Sequence, residues 1–256
     1  MSNYLYITYF VVFLQLIGLT IAVIVDPYII KKHRIVILIN CALTLILIAQ
    51  NYLDCTFSLD DTKVFPRLIV SILGYAIRPL ILIMWLYLIR RDQKLIVAWI
   101  LVILNAIVHM TAFFSGVCFT ISSDNSFVRG PLGYTCHVIS AVLLLYLYWL
   151  SADMYIENVN DQIDEGAAKA ASGISSTTSN NQMKQDFMRY SYGLGALVPT
   201  VCVLIIVISV VMDSRIGGMY QPIAFLTIAI TSCNLFYYIW LHFGFARKHG
   251  GKLKVS

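Results

Sequence analysis

The sequence predicts an all-α fold: an integral membrane bundle of seven transmembrane helices, with the N-terminus outside and the C-terminus cytoplasmic. Three observations predict it. Of the 256 residues, 59% are hydrophobic and only 12% are charged, about half the charge of a typical soluble domain. A soluble fold of this length could not hide so much apolar side chain, so part of its solvent must be lipid. Seven segments are long and apolar enough to cross a hydrocarbon core that takes about 20 helical residues. Finally, lysine and arginine are unevenly placed. Thirteen lie in regions 31–34, 90–94, 169–189 and 247–254. Four (Lys63, Arg67, Arg129, Arg215) lie on the other side, and Arg78 completes the eighteen. The richer side is cytoplasmic by the positive-inside bias.

The elements follow in order. Tyr4–Val25 occupies the position of a signal peptide. It lacks a charged start and a small-residue cleavage site, and Asp26-Pro27 follows it, so it reads as a retained helix. Ile35–Leu53 starts behind a basic cluster and ends at Gln50 and Asn51. Leu68–Ile89 carries Arg78 and Pro79 near its centre. Leu95–Phe114 carries Asn105 and His109. Leu132–Ala152 is introduced by Arg129 and Gly130–Gly133, with Pro131 suited to a first helical turn. Tyr192–Met212 and Tyr220–Leu241 complete the seven. The outer connections are Asp54–Pro66, Ser115–Pro131 and Asp213–Met219. The inner ones are Asp26–Arg34, Arg90–Lys94 and the long Asp153–Ser191. Within that long loop, Glu165–Gln182 is small, polar and free of aromatics. It cannot bury enough surface to offset its ordering entropy, which predicts disorder over 165–182. Residues 1–256 thus form a single transmembrane domain with one cytoplasmic loop at 153–191.

Arg78 raises the functional question. It lies eleven residues from Arg67 and twelve from Arg90, roughly 16 to 18 Å from either end at helical rise. A guanidinium at that depth costs about 2.5–3.5 kcal/mol on insertion scales. Two readings compete. Pro79 has no N–H, so the carbonyl of Tyr75 is freed, and Arg78 could brace the kink by donating to carbonyls. Alternatively, Arg78 could hold an anionic ligand. No Asp or Glu lies inside any of the seven segments, so the cation lacks an obvious counter-ion, and a carboxylate, phosphate or lipid headgroup would suit its planar fork.

Other polar residues gather toward the outer mouth. Asn105 and His109 are four apart and share a helix face. Tyr134 and His137 are three apart at the start of the fifth segment, next to Arg129. The candidate ligand-binding set is therefore Arg78, Tyr75, Asn105, His109, Arg129, Tyr134 and His137. A histidine pair could instead bind a metal or sense pH, but no third ligand is near in sequence, and no metal or cofactor is expected. Asn40 and Asn234 read as interhelical hydrogen-bonding groups.

Several chemistries are set aside. There is no intramembrane carboxylate for proton-coupled transport and no intramembrane lysine for a Schiff base. No nucleophile elbow, zincin helix, P-loop or paired-carboxylate motif occurs, so no enzyme is nominated. The six cysteines include no CxxC pair. Cys41, Cys202 and Cys233 read as small hydrophobes, while Cys55, Cys118 and Cys136 lie near segment ends, where a Cys55–Cys118 bridge is conceivable. The net charge of +5 reflects membrane flanks, and no basic run with interleaved aromatics indicates nucleic acid.

The strings RPLILIMWLYLI (Arg78–Ile89), FVRGPLGYTCHVIS (Phe127–Ser140), QPIAFLTIAI (Gln221–Ile230) and FYYIWLHFGFARKH (Phe236–His249) resemble the N-terminal multi-span sensor module of Firmicutes signalling proteins. In that group the module precedes a GGDEF diguanylate cyclase or a histidine-kinase output domain. The resemblance extends over nearly all seven segments. It implies a sensor in a Gram-positive plasma membrane, with a cytoplasmic output domain or protein as partner and a homodimer as a plausible assembly, although no GxxxG face supports one. This sequence departs from the group after RKHGGKLKVS, where it ends at Ser256 and where Gly250-Gly251 would weaken a continuous signalling helix. Output through a separate partner, or through a segment that once followed, are both compatible with that ending.

The expectation is a receptor-like sensor without catalysis of its own. It would take a small or lipidic extracellular ligand, anionic where Arg78 binds it, and signal through its cytoplasmic end. The rival reading is a small anion transporter or channel-like carrier using Arg78 as its selectivity charge. The absence of an internal repeat weighs against that rival.

Overall fold

The computed structural model describes residues 3–29, 31–89, 95–150, 152–153, 227–228, 230–239 and 241–242. The expected sixth segment (Tyr192–Met212), the first part of the seventh, the loop 154–191 with its stretch 165–182, the connection 90–94, and Cys202 lie outside the described residues.

The described chain is mostly helical. Helix α1 (Asn3–Val25) leads to α2 (Lys31–Phe57), a 3-10 turn (Asp61–Lys63), α3 (Val64–Ile89), α4 (Ile96–Met110) and a second 3-10 turn (Thr111–Phe113). A two-stranded hairpin follows, with β1 (Phe119–Ile121) antiparallel to β2 (Phe127–Arg129). Helix α5 (Thr135–Leu150) comes next, and the last described residues include the helical stretch 230–239. Among the described residues, four helical spans are long and apolar enough to cross a membrane: Ile7–Val25, Lys31–Phe57, Asp61–Leu88 and Ile96–Phe113.

Local chemistry sets the boundaries. Residues before proline avoid the α region, so α1 ends at Val25, and the Asp26 carboxylate then accepts the Tyr28 N–H at 2.9 Å in a tight turn. Asp60 caps the 3-10 turn before α3 by accepting from the Thr62 N–H at 2.9 Å and the Thr62 hydroxyl at 2.6 Å. Helix α3 runs through Pro79 without interruption.

The core lies where α2, α3 and the helices around them meet. Leu16, Leu47, Ile81, Ile83, Leu86 and Leu144 are fully buried in it. Helices α2 and α3 approach closely at Gly74, where an added Cβ would fall 2.4 Å from the Gln50 side chain. A larger residue there would have to displace the end of the Gln50 side chain. Large apolar side chains such as Phe10 and Leu14 on α1, and Val97, Ile100, Ile103 and Ile107 on α4, point away from the protein. In water such a surface would be costly at about 25 cal/mol per Å². Against hydrocarbon it costs nothing.

The hairpin departs from the all-helical expectation, since Ser115–Pro131 was expected to be a loop. Its strands have three residues each and pair Phe119 with Arg129, Thr120 with Val128 and Ile121 with Phe127. Phe119 is fully buried beneath it, packing with Ile72, Ala112, Cys118 and the partly buried Tyr75. Its base closes through Gly130, whose N–H donates to the Cys118 carbonyl at 2.9 Å. A Cβ at Gly130 would lie 2.2 Å from the Gly116 carbonyl oxygen, so no larger residue fits. Pro131 belongs to the turn that follows rather than to the helix, which begins at Thr135. Cys55 and Cys118 are both free thiols.

The hairpin is latched to the α2–α3 connection by one polar network. Arg67 forms a salt bridge with Asp54 at 3.2 Å and donates to both the carbonyl and the side-chain oxygen of Asn125. Ser71 donates to the same Asp54 carboxylate at 3.0 Å. The Asn125 amide donates to the carbonyls of Phe57 and Asp60 at 2.7 and 2.9 Å. Asn125 has φ of 58°, a left-handed conformation that asparagine tolerates better than most residues. Asp54, expected at the start of a connecting loop, and Arg67, expected as a charge flanking the third segment, are thus helical, because burial of their paired charges extends both helices past the apolar runs.

At the opposite end, the stretch 230–239 joins the bundle through polar bonds. The Asn40 amide donates to Asn234 at 2.8 Å, as expected of two interhelical asparagines. The Tyr237 hydroxyl donates to the Leu88 carbonyl at 3.1 Å. His242 meets the Asp26 carboxylate at 2.6 Å.

Candidate functional site

The site is best built from Pro79. A proline lacks the N–H that would otherwise bond the carbonyl four residues earlier. The Tyr75 carbonyl is therefore free of its own helix. It is satisfied from outside: the Asn105 side-chain amide of α4 donates to it at 2.9 Å, and the Cys136 thiol of α5 at 3.3 Å. Among the described residues, Arg78 makes no hydrogen bond to a carbonyl or carboxylate. The carbonyl-satisfying role considered for Arg78 is thus filled by Asn105 and Cys136, and α3 continues through Pro79.

The consequence passes along the chain of contacts. A carbonyl can only accept, so Asn105 must turn its NH₂ toward Tyr75. Its Oδ1 is left buried without a partner. Nδ1 of His109 lies 2.9 Å from the Asn105 main-chain oxygen, again an acceptor, so Nδ1 carries the proton. Nε2 of the neutral ring is then an acceptor, and it too is buried without a partner. Both residues are fully buried, as two positions four apart on the inward face of α4 should be.

The ring of Tyr75 is the centre of the group. His109 stacks on it with centroids 4.7 Å apart. The guanidinium carbon of Arg78 lies 4.9 Å from its centroid. His137 meets it edge-on at 6.4 Å and Phe119 at 5.6 Å. Arg78 also lies against the Cys136 thiol. Nε of Arg78 and Nδ1 of His137 are buried without partners. Three unpartnered polar atoms thus belong to side chains packed against the Tyr75 ring, and a fourth, Asn105 Oδ1, to the side chain bonded to the Tyr75 carbonyl.

Magnitudes show that this arrangement is unfinished as a structural device. A desolvated cation–π contact returns about 2 kcal/mol. A guanidinium at mid-helix costs about 2.5–3.5 kcal/mol on insertion scales, and each buried polar atom without a partner adds about 1–3 kcal/mol.

Arg129 and Tyr134 form a separate rim. Arg129 donates to the Gly133 carbonyl at 2.9 Å and lies 4.6 Å from the Tyr134 ring centroid. Tyr134 is exposed. His137 links rim to centre, with its ring 6.0 Å from that of Tyr134. Of the seven expected site residues, the structure gathers Tyr75, Arg78, Asn105, His109 and His137, and sets Arg129 and Tyr134 one step outward. Sequence reasoning missed Cys136 and Phe119. Cys136 had a signal, since it adjoins His137. Phe119 had none without the hairpin.

The chain matches no protein-family model, and comparison with curated proteins and with solved structures finds no significant similarity to any of them.

Proposed function

We propose that this protein is a receptor-like sensor of seven transmembrane helices in a plasma membrane, with its hairpin end outside. The resemblance to Firmicutes sensor modules supplies the role. The observation that carries the reading is Arg78 beside Tyr75, with its Nε lacking a partner and no carboxylate bonded to it, at a mid-helix position where ionisable residues mark ligand or ion sites. A small anion or anionic headgroup arrives past Arg129 and Tyr134, and Arg78 forms the floor of its site. Binding biases the packing of α3 against the later helices, and the shift is read near His242 by a cytoplasmic partner. Such a switch requires different ligand affinity in two states.

The test is equilibrium binding of small anions to the full chain in nanodiscs, paired with flux in proteoliposomes. A sensor binds in an Arg78-dependent way and transports nothing. Arg78-dependent flux would replace this reading with the anion carrier. Binding that survives Arg78→Leu would remove Arg78 from the site.

A further inference from the structure

We propose that the ligand group beside Arg78 is an anion that also carries its own hydrogen-bond donor, an inference that rests on the anion-binding reading above. The class includes α-hydroxy- and α-amino-carboxylates, protonated phosphates, and lipid headgroups that pair phosphate with N–H or O–H. The site offers two kinds of unfilled valence at once. Arg78 supplies a cation with a free Nε–H donor. Asn105 Oδ1 supplies a free acceptor, fixed because its amide NH₂ is spent on the Tyr75 carbonyl, and His109 Nε2 supplies a second in the neutral tautomer that puts the proton on Nδ1 facing the Asn105 carbonyl.

A simple anion satisfies only the first kind. It would also press its negative charge against two lone pairs, which disfavours it. A cation with donors satisfies the second kind and is repelled by Arg78. Only a group holding both complements the whole set. The Tyr75 ring is not a stacking platform for an aromatic ligand, since His109 already stacks on it and Arg78 lies over it. The ligand head is therefore small and polar.

The experiment uses matched pairs on the full chain in nanodiscs, read by titration calorimetry. Glycolate and acetate share charge and differ by a hydroxyl. Hydrogen phosphate and sulfate share shape and differ by an O–H. The donor-bearing member of each pair should bind at least roughly ten-fold tighter, since a site built to bond a donor rejects the analogue lacking it. His109→Phe keeps a ring against Tyr75 but removes one of the two acceptors, and should shrink that preference. For a lipid source, native mass spectrometry should retain phosphatidylethanolamine over phosphatidylcholine, whose trimethylated nitrogen cannot donate. Equal binding within both pairs overturns the donor requirement while the anion reading stands. If no probe binds and no lipid is retained, both fall. The wild-type pairs decide the matter even if His109→Phe fails to fold.

Discussion

Two arginines on one helix face behave in opposite ways. Arg67 and Arg78 are eleven residues apart on α3, which at 100° per residue leaves them about 20° out of register and roughly 16 Å apart. Arg67 is almost fully buried and has a carboxylate, a carbonyl and an amide oxygen around it. Arg78 has an aromatic ring, a thiol and an Nε with nothing to bond. The difference teaches that burial alone does not mark a functional cation. What marks it is the shortfall between the group's bonding capacity and what its own fold supplies.

The largest expected effect is on the satisfied side. Arg67→Leu strands Asp54 and the Asn125 carbonyl, and should cost about 3 kcal/mol in reversible unfolding. If the melting temperature is unchanged, the latch is ornamental and the contrast fails. Next, Asn125→Ala removes two donated bonds and puts alanine at positive φ. It should cost about 2 kcal/mol, and the loss should appear as faster proteolysis of the hairpin. Arg78→Leu sharpens the comparison from the other side. It removes a partly buried charge whose Nε has no partner, at the expense of one cation–π contact and one contact to the Cys136 thiol, so stability should change by less than about 1 kcal/mol while anion binding disappears. A loss as large as that of Arg67→Leu would show that Arg78 is structural.

The smallest effect lies at the far end of the bundle. Burial would push the Asp26 carboxyl up, but the bonds from His242, the Tyr28 N–H and Tyr238 together hold it below the usual carboxylate range. Its folded value is therefore below its unfolded one. The stability it contributes is full above about pH 4 and is lost as pH falls through the lower folded value. Asp26→Asn should cost no more than about 1 kcal/mol near neutrality, because His242 is partly exposed. The gap between variant and wild type should close in acid melts.

Much of this contrast was legible in the sequence. Pro79 announces the free Tyr75 carbonyl, and the four-residue spacing of Asn105 and His109 places both on one face. Arg78 stands out because its segment is otherwise apolar. The partner of the free carbonyl was not legible, since Asn105 and Cys136 reach it from helices 30 and 61 residues away in sequence. Nor was the latch. Three-residue strands give no periodic signal, and counting apolar residues ends the second segment at Leu53 and begins the third at Leu68. Helix α2 instead runs to Phe57 and α3 starts at Val64, carried by a charge pair that composition reads as loop.

The most direct measurement is glycolate affinity of Arg78→Lys against wild type, in the same nanodiscs and buffer. Lysine keeps the charge but loses the planar fork and the Nε–H. The account predicts at least roughly ten-fold weaker binding with an unchanged melting temperature. Equal affinity would show that charge alone suffices and that the unfilled valence of Arg78 is not what the ligand completes.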